Sequence, residues 1–382
     1  MRFTVIAACT AAVLASALAA NTPPPTPQTI EELGELLFFD VNLSANRTQS
    51  CSSCHDPNHG FADPRGMASP GDDGVSLGDR NAPTAAYAAF SPSFHMNAEG
   101  EWVGGQFHDG RAETLEDQAA GPPLNPVEMG MKDEAVVVAR LKENPVYVDA
   151  FPALFDDGVL EDPIAGYRAM TQAIAAFERT STFSPFDSKY DRFLRGEIEL
   201  SRDEELGRVL FFSQQFTNCN QCHQLSRSPI DPRETFTDYR YHNIGTPENV
   251  ALRELNGVAQ GTIDNGLAEN PAVAGDPTQI GKFKTPTLRN VAVTGPYMHN
   301  GVFQDLRTVV LFYNIYNTRS DARLINPETA RAFGPPPVPD TIALDELTDG
   351  PALDDQRIDA IVAFLKTLTD ARYEHLLEED NQ

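Results

Sequence analysis

The chain has 382 residues, 41% of them hydrophobic and 22% charged, with 26 glycines and 29 prolines. That length accommodates two domains with apolar cores of their own. A formal net charge of −26 argues against nucleic acid and anionic membrane surfaces as partners and favours a basic partner or simply solubility.

Residues 1–20 open with Arg2, run apolar from Val5 to Leu18 and end on Ala17, Leu18 and Ala19. This is the pattern of a cleaved secretory signal peptide, too short for a membrane span, so no membrane insertion is expected after cleavage. Ile6 to Cys9 faintly resembles a lipoprotein box, but Cys9 lies too early within the apolar run. A Pro- and Thr-rich stretch, 21–28, leads in. Thr29 with Glu32 then forms a capping box for a helix whose Leu33, Leu36 and Leu37 share one face.

That helix leads into Cys51-Ser52-Ser53-Cys54-His55, and the pattern returns as Cys219-Asn220-Gln221-Cys222-His223. Cys-x-x-Cys-His marks covalent haem attachment: two thiols add to the vinyl groups and the His becomes the proximal iron ligand. A zinc site would need a further Cys or His cluster near each pair, and a redox dithiol would need a βαβ context. Neither is present in the sequence. Of five cysteines, the four beyond the signal all lie in these motifs, which leaves none for a structural disulfide. Two covalently bound haem c groups are therefore expected. Haem c is assembled outside the cytoplasm, which makes the periplasm the expected compartment.

The chain repeats itself around the two motifs. Leu33 to Phe39 recurs as Leu206 to Phe212, the second copy again preceded by a capping box, Ser201 with Glu204. Asn81-Ala82-Pro83-Thr84 has its counterpart in Lys284-Thr285-Pro286-Thr287, and Phe107-His108-Asp109-Gly110 in Met298-His299-Asn300-Gly301. Seven residues on from each His stand Leu115 and Leu306. A helix is expected over 164–180, a break at 181–185, a linking stretch to about 200, and a closing helix over 354–369. The stretches 226–282 and 332–353 read as long loops. The expected fold is mainly α: two cytochrome c-like haem domains with long loops, 21–190 and 191–382, related by internal duplication.

The repeat predicts unequal iron ligation. Fourteen residues after His108 stands Pro122; fourteen after His299 stands Tyr313. Proline offers no donor atom, whereas tyrosine can ligate as a phenolate. The first haem then keeps an open sixth position, while Tyr313 closes the second, with Met298 or His299 as alternative ligands. Around the open position stand Gln118 and, in a Pro-rich loop, Glu128. A carboxylate within reach can take a proton from one peroxide oxygen and return it to the other. The competing reading of Glu128 is a surface residue.

These motifs together resemble the bacterial di-haem cytochrome c peroxidase and MauG-like superfamily over nearly all the mature chain. The residues that carry the resemblance are both haem motifs, 80–84, 106–112, Pro122 through Glu128, and 285–301. The resemblance implies His55 and His223 as proximal ligands, and Gln118, Pro122 and Glu128 as the distal pocket of the N-terminal haem. It implies a calcium ion held by Asn81 and the backbone carbonyls of Thr294 and Pro296, a ligand set that suits a hard cation. Tyr313 follows the MauG-like branch, since the peroxidases fed by small cytochromes usually carry Met there. Two positions depart from the pattern. His108 stands where the family usually has Trp, and Thr217 where MauG-like proteins use a surface Trp; Trp102 is the sole tryptophan.

His59 and Met67 are further candidates to approach the first iron, with a solvated loop role favoured for His59. His95, His242 and His375 read as surface residues, and Met129 and Met131 as packing. The functional expectation is a periplasmic peroxidase that reduces hydrogen peroxide at the N-terminal haem while the C-terminal haem relays or stores oxidising equivalents. Its electron donor would be a small periplasmic cytochrome c or cupredoxin. The alternatives are a MauG-like oxidase that modifies a partner protein and a non-enzymatic di-haem electron carrier.

Overall fold

A computed structural model describes residues 26–225 and 230–379. The expected signal peptide lies outside them, as does 226–229. Among the described residues, helices alternate with long irregular connections, and the strands form three antiparallel pairs two residues long. The helix-rich expectation holds. No helix among the described residues is long and apolar enough to cross a membrane.

Helix α1 (Ile30–Phe38) starts where Thr29 accepts a hydrogen bond from the Glu32 amide at 3.2 Å. The Glu32 carboxylate bonds the Gln28 amide instead of that of Thr29, so the predicted box is formed by half. Glu31 and Glu32 in the first turn complement the helix dipole. Leu33, Leu37 and Phe38 are fully buried, each worth about 1.5–3 kcal/mol on transfer from water. They pack against α2 (Pro163–Glu178), beneath which Phe61 and Phe183 stack at 4.1 Å. The two helices approach so closely that a Cβ on Gly34 would come within 1.9 Å of the Ala173 carbonyl oxygen.

The second core is built by α3 (Arg202–Phe211), α4 (Leu306–Asn314) and α5 (Asp355–Lys366), around Phe211, Phe236 and Phe364. Here the Ser201–Glu204 capping box forms in both directions. Gly207 meets the Ala360 carbonyl as Gly34 meets that of Ala173, with a built Cβ at 1.8 Å. Each CxxCH motif follows the glycine-containing helix of one core.

Three expected irregular stretches contain helices. Lys189–Leu194 lies in the expected linker, because Ser188 and Asp191 form a reciprocal capping box there, and its Tyr190 is fully buried in the second core. Val250–Asn256 and Leu344–Thr348 interrupt the two expected long loops. The cores meet at Arg289, which is 1% exposed and bonds the Asp191 carboxylate at 2.6 Å. Its guanidinium faces the rings of Tyr87, Phe186 and Phe236 at 5.2, 4.8 and 5.4 Å.

Candidate functional site: two CxxCH motifs and the seam between them

The first motif is a single helical turn, Cys51–Cys54, entered through Ser50, whose side chain caps it reciprocally with Ser53. The His55 Nδ1 lies 3.3 Å from the Phe61 carbonyl oxygen. In the second motif, His223 Nδ1 lies 3.2 Å from the Phe236 carbonyl. A backbone carbonyl at Nδ1 fixes the tautomer and leaves Nε2 free for a metal. Burial lowers the pKa of both histidines, which favours the neutral form a ligand needs. Phe61 and Phe236 both sit at positive φ, 55° and 56°, an unusual conformation for bulky residues that turns each carbonyl back on its histidine.

The thiols fit thioether formation better than a thiolate metal site. Burial raises Cys51, Cys54 and Cys219, the last to about 11. One three-residue cluster of metal-ligand types occurs among the described residues, Cys222 with Asp238 and His242. Burial pulls His242 down, but the neighbouring Asp238 and Cys222 outweigh it and lift the imidazole to about 10. His242 was expected on the surface. It is instead half-buried and faces Asp238 at 3.6 Å, because its pairing with Phe283 in a short ladder turns it inward.

A cavity of about 340 Å³ adjoins the second motif. Cys219, Cys222, His223 and Tyr313 all line it, as do Met298 and His299. A large, mainly apolar space with the His223 imidazole and two thiols at its wall fits a haem group. Tyr313 is carried by α4, where burial, with Cys222 and Cys219 near by, pushes its phenol well above the ordinary value. Asn81, Thr294 and Pro296 line this cavity too. His299 stacks on Phe283, with ring centroids 3.6 Å apart and planes 12° apart.

On the first motif's side, Gln118 sits on the short helix Leu115–Ala119 and Pro122 opens the turn Pro122–Leu124. Phe107, at φ 64°, reaches towards Gly121 beside the Gln118 carbonyl. The Arg111 guanidinium lies 3.7 Å above the Phe107 ring. Glu128 closes the loop: its amide bonds the Asn125 carbonyl and its own carbonyl accepts from Asp72. Its side chain is mostly buried, and burial raises its pKa against the pull of Arg111 and the Asn125 side chain. Asp72 also accepts from the Asn46 amide at 2.7 Å and the Thr48 hydroxyl at 2.6 Å, which ties the Glu128 loop to the approach to Cys51.

The seam between the sites is tied by Asn81. Its amide donates to the His299 carbonyl at 2.7 Å, and its carbonyl oxygen lies 2.9 Å from His108 Nε2. His59 pairs with Asp56 at 2.8 Å on the surface, and the Met67 sulfur lies 3.1 Å from Asn249 Nδ2. Met129 and Met131 are buried in the first core.

The sequence profile of the di-haem cytochrome c peroxidases matches residues 28–199. The methylamine utilization protein MauG of Paracoccus denitrificans is 52% identical over 374 residues, 97% of this chain and 96% of that one. The chain belongs to the di-haem cytochrome c peroxidase family. The cytochrome c551 peroxidase of Nitrosomonas europaea is 34% identical over 298 residues, 75% of each chain. Among solved structures, the di-haem peroxidase BthA of Burkholderia thailandensis superposes with a TM-score of 0.79 at 33% identity, over 92% of this chain and 88% of BthA. Family membership makes this chain an oxidoreductase acting on peroxide and implies two haem c groups, which the paired motifs accommodate.

Removing one thioether should impair loading at one site only. Cys51→Ser and Cys219→Ser should each lower covalent haem per chain from two towards one, read by mass under denaturing conditions. Two haems in either variant would dissociate that motif from attachment.

Proposed function

We propose that this chain is a periplasmic di-haem peroxidase that reduces hydrogen peroxide at the first motif's haem, while the second motif's haem relays or stores oxidising equivalents. The carrying observation is an asymmetry: Pro122 stands fourteen residues after His108 as Tyr313 does after His299, and a partly buried carboxyl of raised pKa, Glu128, lies in a loop tied to the approach to the first motif. When bound, the first haem would supply the electrons that reduce peroxide. Glu128 takes a proton from one peroxide oxygen and returns it to the other, and Gln118 orients the substrate by hydrogen bonding. Tyr313 and His223, which line one cavity, would hold the second haem. Asn81 and the carbonyls of Thr294 and Pro296, lining one cavity, hold a calcium ion. The halves 21–190 and 191–382 are read as duplicated domains, supported by the matching Gly34 and Gly207 contacts.

An oxidised sample examined by EPR should show one high-spin and one low-spin iron. Two low-spin irons would mean that a further side chain closes the first site. A second reading, oxidation of a partner protein, is favoured by the 52% identity to MauG and by Tyr313. The absence of tryptophan at His108 and Thr217 stands against transfer along the family's usual route. A small cytochrome or cupredoxin donor is separated from a protein substrate by asking whether peroxide turnover is sustained by a reduced donor.

A further inference from the structure

The wall of the second motif's cavity carries a phenol with a carboxylate built onto it. Tyr87 lines that cavity and is 1% exposed overall. Its hydroxyl donates to Asp370 Oδ1 at 2.6 Å, and its oxygen accepts from the Phe186 amide at 3.2 Å. The other Asp370 oxygen accepts from Asn290 Nδ2 at 2.8 Å, and the Asn290 side-chain oxygen in turn accepts from the Asp370 amide, also at 2.8 Å. Asp370 is fully buried. Tyr87 belongs to the first core and Asp370 follows α5 of the second, so the bond crosses the seam.

Three features separate this pair from ordinary packing. Tyr87 holds φ at 60°, a strained conformation for an aromatic residue. Arg289 lies 5.2 Å from its ring, so an oxidised ring that kept its proton would be a cation facing a cation. Loss of the electron is therefore favourable only with loss of the proton, and the short bond to Asp370 provides the path. Tyr239, also on the cavity wall, donates to the Thr235 hydroxyl, which is a poor proton acceptor. His108, where the family usually has tryptophan, has its Nε2 on a backbone carbonyl, which cannot take a proton at all. Burial lifts Asp370 to about 6 against the pull of Tyr87, Asn290 and Arg289, which raises its capacity to receive a proton.

We infer that Tyr87 is a redox-active relay residue, losing one electron to the peroxide-derived oxidising equivalent held at the adjoining haem and its phenolic proton to Asp370. The O–H bond breaks, a neutral tyrosyl radical and a neutral Asp370 carboxylic acid form, and the oxidising equivalent at the haem falls by one electron. An external electron donor reverses both transfers. The inference rests on the peroxide-using di-haem reading. The relay gives the seam a proton-coupled electron path in place of the missing tryptophan.

The test is EPR of the haem-loaded protein frozen after mixing with peroxide, prepared with ordinary and with ring-deuterated tyrosine. A radical signal that narrows on deuteration and vanishes in Tyr87→Phe is expected. Asp370→Asn keeps a hydrogen-bond acceptor but cannot take the proton. It should slow radical formation by about 10²-fold, the lower end of what a positioned proton acceptor contributes, and remove its solvent deuterium isotope effect. A purely structural role would leave that isotope effect unmoved. A tyrosyl signal unchanged in Tyr87→Phe, or no tyrosyl signal in the parent protein, overturns the inference. If Tyr87→Phe does not load haem, formation rate and isotope effect in Asp370→Asn decide, and wild-type values there overturn it. Photogenerated ruthenium(III) tris(bipyridine) is run as a second oxidant. Failure to react with peroxide at all sinks the peroxidase reading, while the ruthenium arm still tests Tyr87.

Discussion

Glu128→Gln should slow reaction with peroxide by about 10²–10⁴-fold, the range of positioned proton transfer, while leaving covalent haem content unchanged. At the transition state this is about 3–5 kcal/mol. Glutamine is nearly isosteric, so the fold around 121–131, where the Glu128 amide and carbonyl are both bonded, should survive. What goes is a group that can hold a proton between two oxygen atoms. Stopped-flow absorbance of the variant against the parent measures it, and parental kinetics would take Glu128 out of the mechanism.

The direction of the pH dependence follows from the same burial. Glu128 must be ionised to receive the first proton, and burial raises its pKa above the usual carboxylate value. The peroxide reaction should therefore fall as pH drops through that raised pKa and stay flat above it. The inflection should disappear in Glu128→Gln. Arg111, which pulls the pKa down, sits on the Phe107 ring and is half-exposed. Its charge is screened, so burial sets the sign.

Legibility from sequence followed the range of the interactions involved. CxxCH spacing is local chemistry, and so are the capping residues Ser201 and Glu204, whose box forms as written. The helix expected over 164–180 appears as Pro163–Glu178, and the closing helix as Asp355–Lys366, because each carries a continuous apolar stripe. What sequence concealed depends on tertiary placement. His242 looks like a solvated histidine until a two-residue ladder carries it inside. Ser188 and Asp191 supply a cap within an apparent linker. Tyr87 meets Asp370 across 283 residues, a pairing that no local pattern encodes. The repeat did hold one clue: the spacing from Pro83 to Tyr87 equals that from Pro286 to Asn290, and both residues bond Asp370.

Tyr313→Phe should convert the second haem from low-spin to high-spin and raise its reduction potential. Helix α4 carries Tyr313 into the cavity shared with His223. Burial there raises the phenol's pKa, so an unligated Tyr313 would stay protonated. Ferric iron supplies the positive charge that compensates a buried phenolate, and the phenolate in turn stabilises the oxidised metal. Phenylalanine keeps the ring and removes only the donor atom, so the cavity should still accept haem. Tyr313→Met should restore a sixth ligand of opposite character, since a thioether favours the reduced state, and give a potential higher than the parent's. The rival ligands are constrained differently. His299 is stacked on Phe283 at 3.6 Å, and burial pushes its imidazole down to about 3, so it is neutral and able to ligate, but leaving the stack would cost that contact. Met298 sits at φ 71°, a strained backbone conformation that fixes its course along the cavity wall. A spin state and potential unchanged in Tyr313→Phe would hand ligation to one of these two and remove the ligand argument for placing this chain beside MauG, leaving that placement to rest on the 52% identity.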